Sequence, residues 1–80
     1  MRLDLTSLRV FLAVVEARSM AHAAEREHIT PPAVSKRITE LESDLGVILF
    51  ERQRTGIRTT AAGDALATEV RAVFHALERM

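Results

Sequence analysis

Both prolines of the chain, Pro31 and Pro32, stand together directly after Thr30, and Gly46 follows a stretch with helical period. Proline fixes φ and lacks an N–H, so a helix accepts it only in the first turn, where no donor is needed. Thr30 can cap the orphan N–H groups, and Gly46 can end the helix in a left-handed turn. At about 100° per residue, Val34, Ile38, Leu41 and Leu45 fall within an arc of roughly 60°, giving one dry seam. Pro32, Ser35, Lys36, Thr39 and Ser43 fall on the other side. That face is short, polar and nearly free of acids at its N-terminal end. A helix with one buried seam and such a face is suited to presenting itself to a partner, and DNA is the obvious candidate.

The bulk properties bound this reading. Eighty residues allow one domain with a small core. There is no cysteine, so neither disulfides nor thiolate metal sites staple the chain, and the absence suits a reducing cytosol. No apolar run approaches the roughly 18 residues a membrane span needs. Arg2 and Asp4 bring charge too early for a signal peptide. These features point to a soluble, cytoplasmic protein with no membrane partner. Zero net charge weighs against a strongly basic nucleic-acid binder, but the distribution softens the objection. Residues 46–60 hold Arg52, Arg54 and Arg58 against Glu51, a local +2, whereas residues 61–80 sum to −1. Any DNA contact must come from a local patch, and non-specific binding should be weak.

Taken in order, residues 5–17 read as a first helix. Thr6 or Ser7 is placed to cap it, and Leu8, Phe11, Leu12 and Val15 recur at helical spacing. Val10 and Val14 broaden the stripe, as expected for a helix at the centre of a small bundle. Ser19 then caps a short helix over about 20–27, whose Ala21, Ala23 and Ala24 allow close backbone approach. Glu27-His28-Ile29-Thr30 is a turn too short for antiparallel stacking, so the next helix should cross steeply. Beyond Gly46, Val47–Phe50 and Ile57–Thr60 read as two short strands around a Gly-containing tip that carries the arginines. A hairpin is not stable alone and must lean on the helices. Thr60 should cap a last helix over 61–80, about 30 Å long. Its stripe of Ala62, Leu66, Val70, Val73 and Leu77, flanked by Phe74, outruns the globule, and its outer half should meet a partner helix.

Together these residues carry a resemblance. Leu8-Arg9-Val10-Phe11, Ala23-Ala24, Ile29-Thr30, Pro32-Ala33-Val34-Ser35, Ile38, Leu41-Glu42, Leu45-Gly46, Leu49-Phe50-Glu51-Arg52, Thr60 and Ala62-Gly63 stand in an order and spacing that covers nearly the whole chain. The chain resembles the N-terminal DNA-binding region of LysR-type transcriptional regulators of bacteria. The resemblance implies a mainly α fold: a winged helix-turn-helix of three helices plus a two-stranded wing over 1–60, then a long linker and dimerisation helix over 61–80. In the family a far larger effector-binding domain follows, carrying the inducer site, so these residues read as a fragment of such a regulator. Arg18 stands where the family usually has glycine, Met20 where it has phenylalanine, Glu27 where leucine is common, and Thr59 where an aliphatic residue is usual. Pro31 replaces a glutamine that reaches base edges, so base preference here should differ from that of relatives.

The expected DNA-binding residues are Thr30, Pro31, Pro32, Ser35, Lys36, Arg37 and Thr39 on the central helix, Arg52 and Arg54 in the wing, and Arg18 at the mouth of the second helix. Pro32 suits a thymine methyl, Ser35 a phosphate or base edge, and Lys36 a phosphate or guanine. Arg52 and Arg54 suit a narrow, electronegative minor groove or its phosphates, although Arg52 could instead pair with a nearby carboxylate. Arg37 lies nearer the dry seam and could serve either role. Leu66, Val70, Val73, Phe74 and Leu77 are the expected dimer contacts, and two-fold symmetry would demand an interrupted palindromic operator. Higher oligomers are expected only with the effector domain. The histidines His22, His28 and His75 do not cluster, so no metal or cofactor is expected. No nucleophile motif, phosphate loop or carboxylate pair stands out, which argues against an enzyme. The competing reading is a winged-helix dimer that binds a protein and not DNA, with zero net charge as its support.

Overall fold

The computed structural model describes residues 4–80; the start Met1-Arg2-Leu3, read above as too charged for a signal peptide, lies outside the described residues. Six elements follow in order: α1 (Leu5–Ala17), α2 (Met20–Glu27), α3 (Pro31–Leu45), β1 (Phe50–Gln53), β2 (Gly56–Thr59) and α4 (Ala61–Glu78). α1 packs against α2, α3 and α4, as its broad apolar stripe requires. It buries Leu8, Val10, Phe11, Ala13 and Val14. These meet Ala23 and Ala24 of α2, Val34, Ile38 and Leu41 of α3, and Ala67 and Val70 of α4 in a single core.

Neither Thr6 nor Ser7 caps α1. Asp4 does, its Oδ1 accepting the Ser7 N–H at 2.7 Å. With the cap two to three residues earlier, the Ser7 hydroxyl is left for another partner. The other start signals hold: Ser19, Thr30 and Thr60 accept the N–H of His22, Ala33 and Gly63 at 3.1, 3.3 and 3.1 Å. Left-handed residues end the first three helices, at Arg18 (φ 54°), His28 (φ 58°) and Gly46 (φ 70°). At the α2–α3 turn the Ile29 N–H reaches back to the Ala24 carbonyl at 3.0 Å, and the Ile29 side chain packs on the core.

The wing differs from expectation. Its first strand begins at Phe50, and Val47 and Ile48 are exposed connection. Backbone groups of this stretch are taken by the helices. The Glu42 carboxylate of α3 accepts the N–H of Leu49 at 2.7 Å and of Phe50 at 3.4 Å. From the α4 side, Thr60 donates its hydroxyl to the Ile48 carbonyl at 2.6 Å and its N–H to the Leu49 carbonyl at 3.0 Å. Only from Phe50 onward is the chain free to pair, with Phe50 opposite Thr59 and Gln53 opposite Gly56 in an antiparallel register. Leu49 is buried, and the Phe50 ring lies 5.4 Å from that of Phe11, tilted at 49°.

α4 ends at Glu78, short of the expected residue 80. Its buried residues, Gly63, Ala67 and Val70, all lie in its first ten positions. Val70 is 2% exposed and belongs to the protomer's own core, so it is not a free dimer contact. The reason is geometric: α1 packs against α4 and draws Val70 into the shared core. Leu66 and Phe74 are half-buried against the core, whereas Val73 and Leu77 are each 41% exposed. No helix is long and apolar enough to cross a membrane, among the described residues.

Candidate nucleic-acid interface

α3 presents its N-terminal turn and one flank to solvent. Thr30, Pro31, Pro32, Lys36 and Thr39 are exposed, and Ser35 is half-buried between them. The buried seam of Val34, Ile38 and Leu41 holds the helix against α1 and α2, so the exposed flank is rigidly backed. The acids of α3 turn elsewhere. Glu42 binds the Leu49 and Phe50 amides. Glu40 and Asp44 line a cleft with Asp4, Ser7 and Arg37 on the side facing the start of α1. The exposed flank is therefore left without a carboxylate at its N-terminal end, which favours an anion there.

Arg37 does not join that flank. It is half-buried, and its Nη1 donates to the Ser7 hydroxyl at 3.0 Å and lies 3.8 Å from the Asp4 carboxylate. Its guanidinium ties α3 to the first turn of α1. The sequence left both roles open, because its position beside the dry seam is compatible with either; the cap at Asp4 decides for the strut.

In the wing, Arg52 lies opposite Ile57 and Arg54 sits in the turn between the strands. Both are exposed. Arg58, on the other face of the hairpin, is paired with Glu51 directly across from it at 3.4 Å. Arg18 is exposed at the α1–α2 turn, and its carbonyl accepts the Ile57 N–H at 3.3 Å, which puts it beside the wing.

Ion pairing sorts the basic residues. The bridges are Arg9–Glu27 at 2.9 Å, Arg26–Glu16 at 2.9 Å, Arg71–Glu16 at 3.7 Å, Arg37–Asp4 and Arg58–Glu51. Each is at least partly solvated and adds about 0–1 kcal/mol. Their consequence for a neutral chain is larger. These acids are engaged by scaffold arginines, while among the described residues Arg18, Lys36, Arg52, Arg54 and Arg79 carry no ion pair. Four of these five are the cations expected to meet DNA. Glu27, unusual at its position, is explained by the same pattern: it lies alongside α1 and takes Arg9.

A family profile described as bacterial regulatory helix-turn-helix protein, lysR family, matches residues 5–64. The chain belongs to the lysR family. Among its relatives, the transcriptional regulator ClcR of Pseudomonas putida is 41% identical over 76 residues, which is 95% of this chain and 26% of ClcR. The chain thus spans about a quarter of that lysR-family relative. Its fold is that of the family's winged-helix domains. A crystal structure of a CbnR_DBD–DNA complex matches with a TM-score of 0.90 at 40% identity, covering 96% of this chain and 88% of that one. The BenM_DBD/catB site 1 DNA complex matches with a TM-score of 0.93 at 33% identity, covering 98% and 87%.

Sequence reasoning missed two residues that shape the site. Asp4 hides as a cap because Thr6 and Ser7 are equally good by type; the Leu5 that follows was the available clue. Gly56 was read only as a turn residue, whereas its backbone meets the α1–α2 turn. Among the described residues no three His, Asp or Glu side chains are grouped to hold a metal.

Proposed function

We propose that this chain is the operator-reading module of a lysR-family transcriptional regulator, binding double-stranded DNA sequence-specifically and carrying out no catalysis. α3 enters the major groove through Thr30, Pro31, Pro32, Ser35, Lys36 and Thr39. The wing lies over the adjacent minor groove through Arg52 and Arg54, with Arg18 near the phosphates. The 61–80 segment acts as the linker helix and pairs two copies through Val73 and Leu77, with Leu66 and Phe74 at the seam. The working environment is the bacterial cytoplasm. The observation that carries the reading is the sorting of charge: Lys36, Arg52 and Arg54 are exposed and unpaired while the acids of α3 face away. The CbnR and BenM domains, both close in fold, were crystallised on DNA.

Selection from a randomised duplex library at moderate salt is the test. Enrichment of an interrupted palindrome is expected, with a base at the Pro31 position chosen by apolar contact, since Pro31 offers no side-chain hydrogen bond. On the selected duplex, Ser35→Ala and Lys36→Ala should each weaken binding with the fold intact, by about 1–3 kcal/mol where the contact is to a base edge. Unchanged affinity in both variants sinks the docking of α3. A folded protein that enriches nothing moves the assignment to a protein-binding module.

A further inference from the structure

The wing is held at two places, and the second lies near its tip. At the root, α4 locks the chain through the Thr60 contacts to Ile48 and Leu49. There Gly63 passes so close to the Leu49 carbonyl that a Cβ would run into it. Toward the tip, the hairpin meets the turn between α1 and α2. Arg18 is in the left-handed region at φ 54°, which turns its carbonyl outward, and the Ile57 N–H donates to it at 3.3 Å. Gly56 lies against the same carbonyl; a Cβ added there would stand 2.9 Å from the Arg18 oxygen. Gly56 itself has φ 138°, whereas Arg54 and Thr55 do not have positive φ. The return of the chain from the turn therefore falls on Gly56 alone. Ile57 is buried beside this contact, so the approach is backed by apolar packing.

We infer that Gly56 and the Arg18 carbonyl form a seat that sets the height of the wing, making both positioning residues for the minor-groove contacts of Arg52 and Arg54. The inference rests on the DNA reading above. Without the seat, a two-residue tip carried on four-residue strands would pivot about its root, and the unpaired arginines would lose a fixed reach. With it, the α1–α2 turn decides, through the Arg18 carbonyl, where the wing cations stand. Preorganisation of this kind spares the entropy of ordering the wing on binding.

Two measurements test it. In DNA-free protein, the Ile57 amide should exchange slowly, because Arg18 is its acceptor; fast exchange beside a protected Arg58 ladder overturns the seat. On the selected duplex, Gly56→Ala should bind about tenfold more weakly, with a salt slope reduced by about one, as expected for a lost phosphate or groove contact. It should keep the base preference read by α3. Combined with Arg54→Ala, which removes the contact that the seat positions, Gly56→Ala should add little further loss. Wild-type affinity in Gly56→Ala, multiplying losses in the double variant, or an altered base preference each overturns the proposal. If Arg54→Ala weakens binding and Gly56→Ala does not, only the seat fails. If the wild-type protein binds no duplex, the DNA reading fails and the seat's role goes with it.

Discussion

Glu42 shows how much one side chain can decide. It lies on α3, one helical turn before the end of the seam. In the fold its carboxylate accepts two backbone N–H groups, from Leu49 and Phe50, at the point where the chain leaves the helix for the wing. Its own carbonyl takes the N–H of Gly46 and Val47, closing the helix end. Glu42→Ala should therefore leave two partly buried donors without acceptors and destabilise the protein by about 1–3 kcal/mol. Urea unfolding measures this; a midpoint within about 0.5 kcal/mol of wild type, the range of ordinary surface changes, would refute it. Arg18 and His28 make a related point. Both hold left-handed backbone without being glycine, a conformation that costs non-glycine residues about 1–2 kcal/mol. Each is stabilised by helix-end hydrogen bonds, to Val14 and to Ala24 and Glu25.

At the scale of elements, helices and wing were legible to different degrees for a physical reason. Helix ends follow from local chemistry: Ser19, Thr30 and Thr60 cap within three residues of themselves, and Pro31 and Gly46 act through their own backbone. Strand limits follow from who claims each backbone group. Val47-Ile48-Leu49-Phe50 has the composition of a strand, yet Glu42 and Thr60 take its hydrogen bonds first and the ladder starts only at Phe50. The junction of wing and α4 is the tightest of these contacts. Gly63→Ala places a methyl against the Leu49 carbonyl, backbone that is itself bonded to Thr60 and cannot move alone. Overpacking there should cost about 2–3 kcal/mol and expose Leu49 and Phe50, read as a drop in thermal midpoint. A Gly63→Ala variant as stable as wild type would mean that the root is looser than it stands.

For the whole molecule, α4 divides between two tasks. Its first half completes the core through Gly63, Ala67 and Val70, while Val73 and Leu77 stay exposed, Leu77 at the edge of a groove it shares with Leu12 and Glu16 of α1. A double Val73→Asp, Leu77→Asp variant should unfold within about 0.5 kcal/mol of wild type, since neither side chain is buried in the protomer. It should lose preference for an interrupted palindrome over a half-site and sediment as a monomer. Retained two-fold binding would place the dimer contact elsewhere. The order of the helices, most of their caps, the seam of α3 and the family were all legible in the linear chain, because each depends on neighbouring residues or on a pattern of types. The partner of each polar group and of each exposed segment emerged only with the packed fold. Arg37 became a strut, Val70 went into the core, the strand was displaced to Phe50, and carboxylates closed on scaffold arginines and left Lys36, Arg52 and Arg54 without an ion pair. Those outcomes depend on which distant atom arrives first at a hydrogen-bonding or apolar site, and a linear chain does not carry that information locally.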